Sequence, residues 1–161
     1  MDNSEKNVCI VGASGLLGSN VLKEALAKGY KVNGTVRDVN APDKATFLNT
    51  LPNADQNLRL FESEMADTES FDNALSNVDC VFITCLIPVY KGPTGKPARE
   101  MDDDQGYEEI IMPTVNGCLN ILKSTARQGV KNVVICSSTS STNPVPPVPI
   151  KNELDHWSDE N

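Results

Sequence analysis

The sequence is poor in the residues that most often carry chemistry by themselves. Its 161 residues hold a single histidine, His156, and only 5% are aromatic. The five cysteines, Cys9, Cys80, Cys85, Cys118 and Cys136, form no C-x-x-C pair, and with one histidine available no metal site is expected. Four of these cysteines sit in or beside apolar runs, which reads as small core residues in a reducing compartment rather than a disulfide framework. Positive charge is also scarce, with 14 Lys and Arg against 22 Asp and Glu and a net charge of −8. An acidic knot at Glu100, Asp102, Asp103, Asp104, Glu108 and Glu109 reads as a solvated loop and helix start. That balance argues against a nucleic-acid backbone as partner. No apolar run approaches the roughly 20 residues that span a bilayer, and after Met1 the N-terminus, Asp2-Asn3-Ser4-Glu5-Lys6, is polar. No membrane partner is expected, and the location read from these features is cytoplasmic. A chain of this length suits one domain and can bury roughly two-thirds of its unfolded surface, so a core forms without disulfides.

What the sequence does contain is a strong opening. Val8-Cys9-Ile10-Val11 is a continuous apolar run, as expected of a central parallel strand. It leads into Gly12-Ala13-Ser14-Gly15-Leu16-Leu17-Gly18, and helix-forming sequence follows to about Lys28. Glycines at this spacing between a strand and a helix cradle a dinucleotide phosphate. Gly12 permits the tight turn, Gly15 lets the backbone approach a pyrophosphate, and Gly18 lets the helix pack on the sheet. The helix then aims its free N–H groups and positive dipole end at the phosphate.

Further along, strands and helices alternate. Strands are predicted at Tyr30–Val36, Asn57–Phe61, Asp79–Cys85 and Lys131–Ser138, the first of them introduced by Gly29 in a helix C-cap position. Helices are predicted at Pro42–Leu51, at Thr68–Leu75 with Thr68 as N-cap, and at about Asp103–Gln128 with a kink at Pro113. Pro88–Pro97 reads as a surface loop. The pattern gives the α/β class: a Rossmann-type doubly wound parallel sheet, truncated after the fifth strand. Residues 1–142 form the nucleotide-binding domain, and 143–161 are a Pro-rich and acidic tail leading toward a missing C-terminal region. The fifth strand is then an exposed edge unless the Pro-rich tail covers it, and a homo-oligomer is compatible with such an edge.

Ligands of such sheets lie beyond the carboxyl ends of the strands, so the residues after each strand matter most. After the second strand comes Thr35-Val36-Arg37-Asp38. A carboxylate there can bond a ribose 2′-hydroxyl, as in NAD sites, whereas an arginine fork matches the 2′-phosphate of NADP. Arg37 comes first and Lys44 can add a second charge, so NADP is favoured over NAD. A solvent-facing Arg37 paired with Asp38 is the structural alternative. Asp67 follows the third strand, where it can accept from the adenine amino group or simply complement a helix dipole. Thr84, Cys85 and Leu86 follow the fourth and would pass beneath the nicotinamide ribose. Ser137 and Ser138 close the fifth, where a hydroxyl can polarise a substrate carbonyl.

Taken with Pro113-Thr114-Val115-Asn116-Gly117-Cys118-Leu119-Asn120 and Cys136-Ser137-Ser138-Thr139-Ser140-Ser141, this colinear set resembles the extended short-chain dehydrogenases/reductases, also called NAD-dependent epimerase/dehydratase-like proteins. It is most similar to the dihydroflavonol reductase and cinnamoyl-CoA reductase branch. The match runs from Val8 to about Asp159, and Asp155-His156-Trp157-Ser158-Asp159 resembles the family's Glu-x-x-Trp-Ser-Asp stretch. The resemblance implies pyrophosphate binding along Gly12, Ala13, Ser14, Gly15, Leu16, Leu17 and Gly18. It further implies 2′-phosphate binding at Arg37 with Lys44, adenine contact at Asp67, and a catalytic Ser138 that hydrogen-bonds the substrate oxygen. In the family a Tyr-x-x-x-Lys motif on the next helix supplies the proton. Here the tyrosines are Tyr30, Tyr90 and Tyr107, all before the fifth strand, and none begins that motif. The implied function is the NADP-binding portion of a carbonyl reductase, moving hydride from NADPH to a ketone or aldehyde as its small-molecule carbonyl substrate, with little activity in this chain. A non-catalytic NADP-sensing or interaction module and an NAD-dependent sugar-nucleotide epimerase or dehydratase are the alternatives. His156 as a substitute proton donor is a further reading, set against a solvated surface histidine.

Overall fold

A computed structural model describes residues 3–42, 44–85, 92–138, 141, 150–152 and 154. Its elements run β1 (Asn7–Val11), α1 (Leu16–Ala27), β2 (Lys31–Val36), α2 (Ala54–Asn57), β3 (Leu58–Glu62), α3 (Asp72–Leu75), β4 (Cys80–Ile83), α4 (Asp103–Gly106), α5 (Met112–Arg127) and β5 (Asn132–Ile135). The strands form one parallel sheet in the order β3-β2-β1-β4-β5. The chain starts at the middle strand, walks out to β3, then crosses back to β4. That reversal leaves a crevice at the carboxyl ends of β1 and β4.

Strand periodicity sorts β1 between two cores. Val8 and Ile10 pack with Leu22 and Leu26 of α1 and with Val32, Val36 and Leu48. Cys9 and Val11 point the other way, into Phe71, Leu75, Val81, Ile83 and Ile121. Burial drives the Cys9 thiol pKa far upward, so it behaves as a small apolar side chain. Both long helices end in the same way. Gly29 and Gly129 take positive φ, and the next residue donates back, Tyr30 N–H to Ala25 C=O and Val130 N–H to Thr125 C=O. The reversal satisfies the last carbonyls and delivers the chain to the following strand.

The third layer is tied down by polar bonds. Arg127 of α5 grips Asp72 of α3 with Nε and Nη2, at 3.2 and 2.7 Å, and Ser124 donates to the same carboxylate. The Arg127 bond first, and the Ser124 bond second, hold the Asp72 carboxyl below its usual pKa.

Several predicted helices differ in extent. The Pro42–Leu51 helix is only a 3-10 turn at Thr46–Thr50, and a short α2 follows it. The Thr68–Leu75 helix shrinks to α3, and Thr68 is not its N-cap. The Asp67 carboxylate instead accepts from Glu69 N–H at 2.9 Å, and the Ser70 hydroxyl bonds the Glu64 and Asp67 carbonyls. These local bonds compete with the helix ladder and delay it. The long helix starts where predicted, capped by Asp102, which accepts from Gln105 N–H. Pro113 acts on the turn before it. Tyr107–Ile111 widens into a π-helical turn that links α4 to α5, because the proline ring has no N–H and crowds the carbonyl four residues back.

Among the described residues β5 is exposed along its whole length, with Val134 48% accessible. Beside it on the α1 face, Phe82 borders a hollow of about 410 Å³ lined by Val8, Val21, Ala25 and Tyr30. The Pro-rich stretch 143–149, Tyr90, His156 and Trp157 lie outside the described residues.

Candidate functional site: a glycine turn and its neighbours

The glycine turn begins where β1 leaves the sheet. Gly12 has φ of +84°, a conformation that L side chains rarely adopt. A Cβ on Gly12 would also lie 2.6 Å from the Cβ of Cys85, so β4's continuation packs directly beneath the turn. Gly15 donates back to the Gly12 carbonyl at 3.0 Å and serves as the N-cap of α1. A Cβ on Gly18 would collide with the Gly12 carbonyl and sit 2.8 Å from Thr84 Oγ1. The helix therefore lies against the turn with no room for a side chain between them.

The first turn of α1 is left open. No side chain caps it and it carries no acidic residue, so its N–H groups and positive dipole end face outward without an internal anion. Leu16 and Leu17 are 88% and 40% exposed there, an unusual place for two leucines unless something covers them. Ser14 borders a hollow of about 390 Å³ that is also lined by Val36, Arg37, Ala41, Pro42 and Lys44. Two cations thus flank a cavity that opens from the glycine turn toward the end of β2. Asp38 lines the same hollow, but its carboxylate accepts from Asn40 N–H at 2.8 Å. Among the described residues Arg37 forms no ion pair. The Arg37–Asp38 pairing considered from sequence is not the arrangement found.

The remaining predicted residues stand at the same edge of the sheet. Asp67 is exposed on the turn after β3, and Ser63 N–H donates to the Val36 carbonyl to hold that segment beside β2. Thr84 is 8% exposed and its hydroxyl donates to the Val11 carbonyl at 2.7 Å. Cys85 lies 3.9 Å from the Met65 sulfur, and burial pushes its thiol up to about 11, so it is neutral near neutral pH. Cys136 N–H donates to the Ile83 carbonyl and carries the β4–β5 ladder on to Ser137 and Ser138, both exposed. The Ser138 carbonyl accepts from the Ser141 amide and hydroxyl. Leu86 lies outside the described residues.

One participant was missed from sequence. Thr35, 3% exposed, accepts from Gly12 N–H through its hydroxyl at 3.2 Å and from Ala13 N–H through its carbonyl at 2.9 Å. A threonine in a strand reads as an ordinary β-branched residue, and the only available signal was a hydroxyl in an otherwise apolar strand end. Among the described residues no helix is long and apolar enough to cross a membrane, and no three His, Cys, Asp or Glu side chains gather as a metal site.

Comparison with known proteins agrees with this geometry. Residues 12–160 match a family model described as NAD(P)H-binding. Tetraketide alpha-pyrone reductase 1 of Arabidopsis thaliana is 39% identical over 142 residues, 88% of this chain and 40% of that protein. Dihydroflavonol 4-reductase of Dianthus caryophyllus is 34% identical over 138 residues, 86% of this chain and 35% of that protein. The solved structure of Gre2 from Candida albicans in complex with NADPH superposes with a TM-score of 0.64 at 27% identity, covering 86% of this chain and 38% of Gre2. The chain thus spans about two-fifths of the length of the curated relatives it matches. On its fold, its glycine turn and these matches, it belongs to the NAD(P)H-binding family, with the Rossmann-type domain of the extended short-chain dehydrogenases/reductases on the dihydroflavonol reductase branch.

Proposed function

We propose that the chain is the NADP-binding portion of a carbonyl reductase, in which hydride passes from NADPH to a ketone or aldehyde. The observation that carries the choice of NADP is the hollow beside Ser14, with Arg37 and Lys44 on its walls and Arg37 without an ion pair among the described residues. A 2′-phosphate there would meet a planar guanidinium fork and a second cation. NAD recognition asks for a carboxylate aimed at the ribose hydroxyls, and the nearby Asp38 carboxylate is turned to the Asn40 amide. The NADPH in the Candida albicans Gre2 complex supports the same choice.

The residues fit a dinucleotide, because the turn at Gly12 and Gly18 has no room for a Cβ and the start of α1 is uncapped. When bound, NADPH supplies the hydride. The open N–H groups at the start of α1 would receive the pyrophosphate, with Ser14, Leu16 and Leu17 around it, while the Gly12, Ala13 and Gly15 amides hold the turn itself. Arg37 and Lys44 take the 2′-phosphate, and Asp67 accepts from the adenine amino group. Thr84 and Cys85 would lie beneath the nicotinamide ribose, where a neutral Cys85 offers a small apolar surface. Ser138 donates a hydrogen bond to the substrate carbonyl oxygen, which stabilises negative charge as it develops there.

The whole protein's substrate and turnover belong to the proposal, since this chain covers under half of its relatives and has no Tyr-x-x-x-Lys. This chain should bind NADPH weakly and turn over little. Following NADPH oxidation by the purified chain across a panel of aldehydes and ketones tests it. Residual turnover should fall about tenfold or more in Ser138→Ala. Failure to bind NADPH contradicts the reading, and robust turnover by this chain contradicts its expected low activity.

A further inference from the structure

We propose that Thr35 and Thr84 are positioning residues for the dinucleotide, two buried hydroxyls that hold one peptide plane from opposite sides and so fix where the glycine turn starts. The inference rests on the reading that this turn receives a pyrophosphate. The plane is the peptide between Val11 and Gly12. Its carbonyl, that of Val11, accepts from the Thr84 hydroxyl at 2.7 Å and from Thr84 N–H at 3.1 Å. Its N–H, that of Gly12, donates to the Thr35 hydroxyl at 3.2 Å. The carbonyl and N–H of a trans peptide point in opposite directions, and here each meets a hydroxyl from the strand on its own side of β1.

This is the place where β1 stops being a strand. Inside the sheet the ladder fixes each peptide plane, but at Gly12 φ turns positive and the ladder ends. Thr35 covers the change by taking the Gly12 amide on its side chain while its carbonyl takes the Ala13 amide. Thr84 Oγ1 also stands 3.5 Å from the Gly12 carbonyl, the oxygen that Gly15 bonds and against which Gly18 packs. A swing of the Val11–Gly12 plane would therefore move the turn, the helix start and the N–H groups together. Valine would fill either site with the same β-branched shape and no hydroxyl, so strand propensity alone does not account for two buried threonines here.

Calorimetric titration separates this role from a general structural one. The ligands are NADPH and adenosine 2′-monophosphate, which has the 2′-phosphate but lacks the pyrophosphate. The proteins are wild type, Thr35→Val, Thr84→Val and the two serine variants. Each valine variant should bind NADPH about tenfold more weakly and adenosine 2′-monophosphate unchanged, and serine should restore NADPH affinity. Valine variants that bind NADPH like wild type overturn the proposal, as does an equal loss for both ligands. Amide hydrogen exchange at Gly12 in the cofactor-free wild type provides a readout independent of any variant's folding. Strong protection is expected, and rapid exchange overturns the clamp. A wild-type chain that does not bind NADPH overturns the cofactor reading instead, and slow Gly12 exchange would still stand.

Discussion

β1 and β5 are written in almost the same letters, Val-Cys-Ile-Val and Val-Val-Ile, yet Ile10 is fully buried while Val134 and Ile135 are 48% and 43% exposed. β1 has a strand on each side and helices over both faces, whereas β5 has one strand neighbour and, among the described residues, little over either face. Apolar sequence makes a parallel strand in both cases, but burial depends on what the rest of the chain brings to it. The site sits at the well-covered end of this contrast. The glycine turn, proposed to hold a pyrophosphate, grows from a strand buried at four of its five positions.

Substitutions can sharpen the contrast, beginning with the largest effect. Gly18→Val forces a branched side chain into the Gly12 carbonyl and Thr84 Oγ1. It should cost about 4 kcal/mol of stability and abolish NADPH binding, read by urea denaturation and titration. Ile10→Ala empties a site sealed on all sides and should cost about 3 kcal/mol by the same denaturation. If it costs no more than a β5 truncation, the contrast between the strands fails.

Asp72→Asn comes next, with an effect that depends on pH. The Asp72 carboxyl is held below its usual pKa by Arg127 and then Ser124. Its contribution is full above the ordinary carboxylate pKa and is lost as pH falls through the lowered folded value. The variant should therefore be less stable at neutral pH and lose less on acidification, as thermal melts across the acid range would show. A parallel shift at every pH would mean that the ion pair contributes nothing. Val134→Thr should be the mildest, within about 0.5 kcal/mol, while reducing any concentration-dependent association in sedimentation.

The sequence carried the strands and the glycine turn because both rest on strong local constraints, an apolar run and positions where no Cβ fits. It carried the helix end at Gly29 for the same reason. It misjudged the segment after β3, since Thr68 is held by partners distant in sequence: its carbonyl accepts from Arg127 and its hydroxyl bonds Asn120. Pro113 was legible as a disturbance, but the π-helical turn that absorbs it needed the backbone. At the site, Arg37 and Lys44 were readable as charges after a strand, while the hollow between them and the disengagement of Asp38 were not. Thr35 stayed hidden because a threonine facing a turn and one facing a core look alike in one dimension.

The most direct test of the account is a calorimetric comparison of NADPH and NADH on wild type and Arg37→Ala. NADPH should bind wild type about tenfold or more tightly than NADH, and Arg37→Ala should remove most of that difference while leaving NADH affinity nearly unchanged. Equal affinity for the two cofactors in wild type, or a preference for NADPH that survives the loss of Arg37, would contradict it.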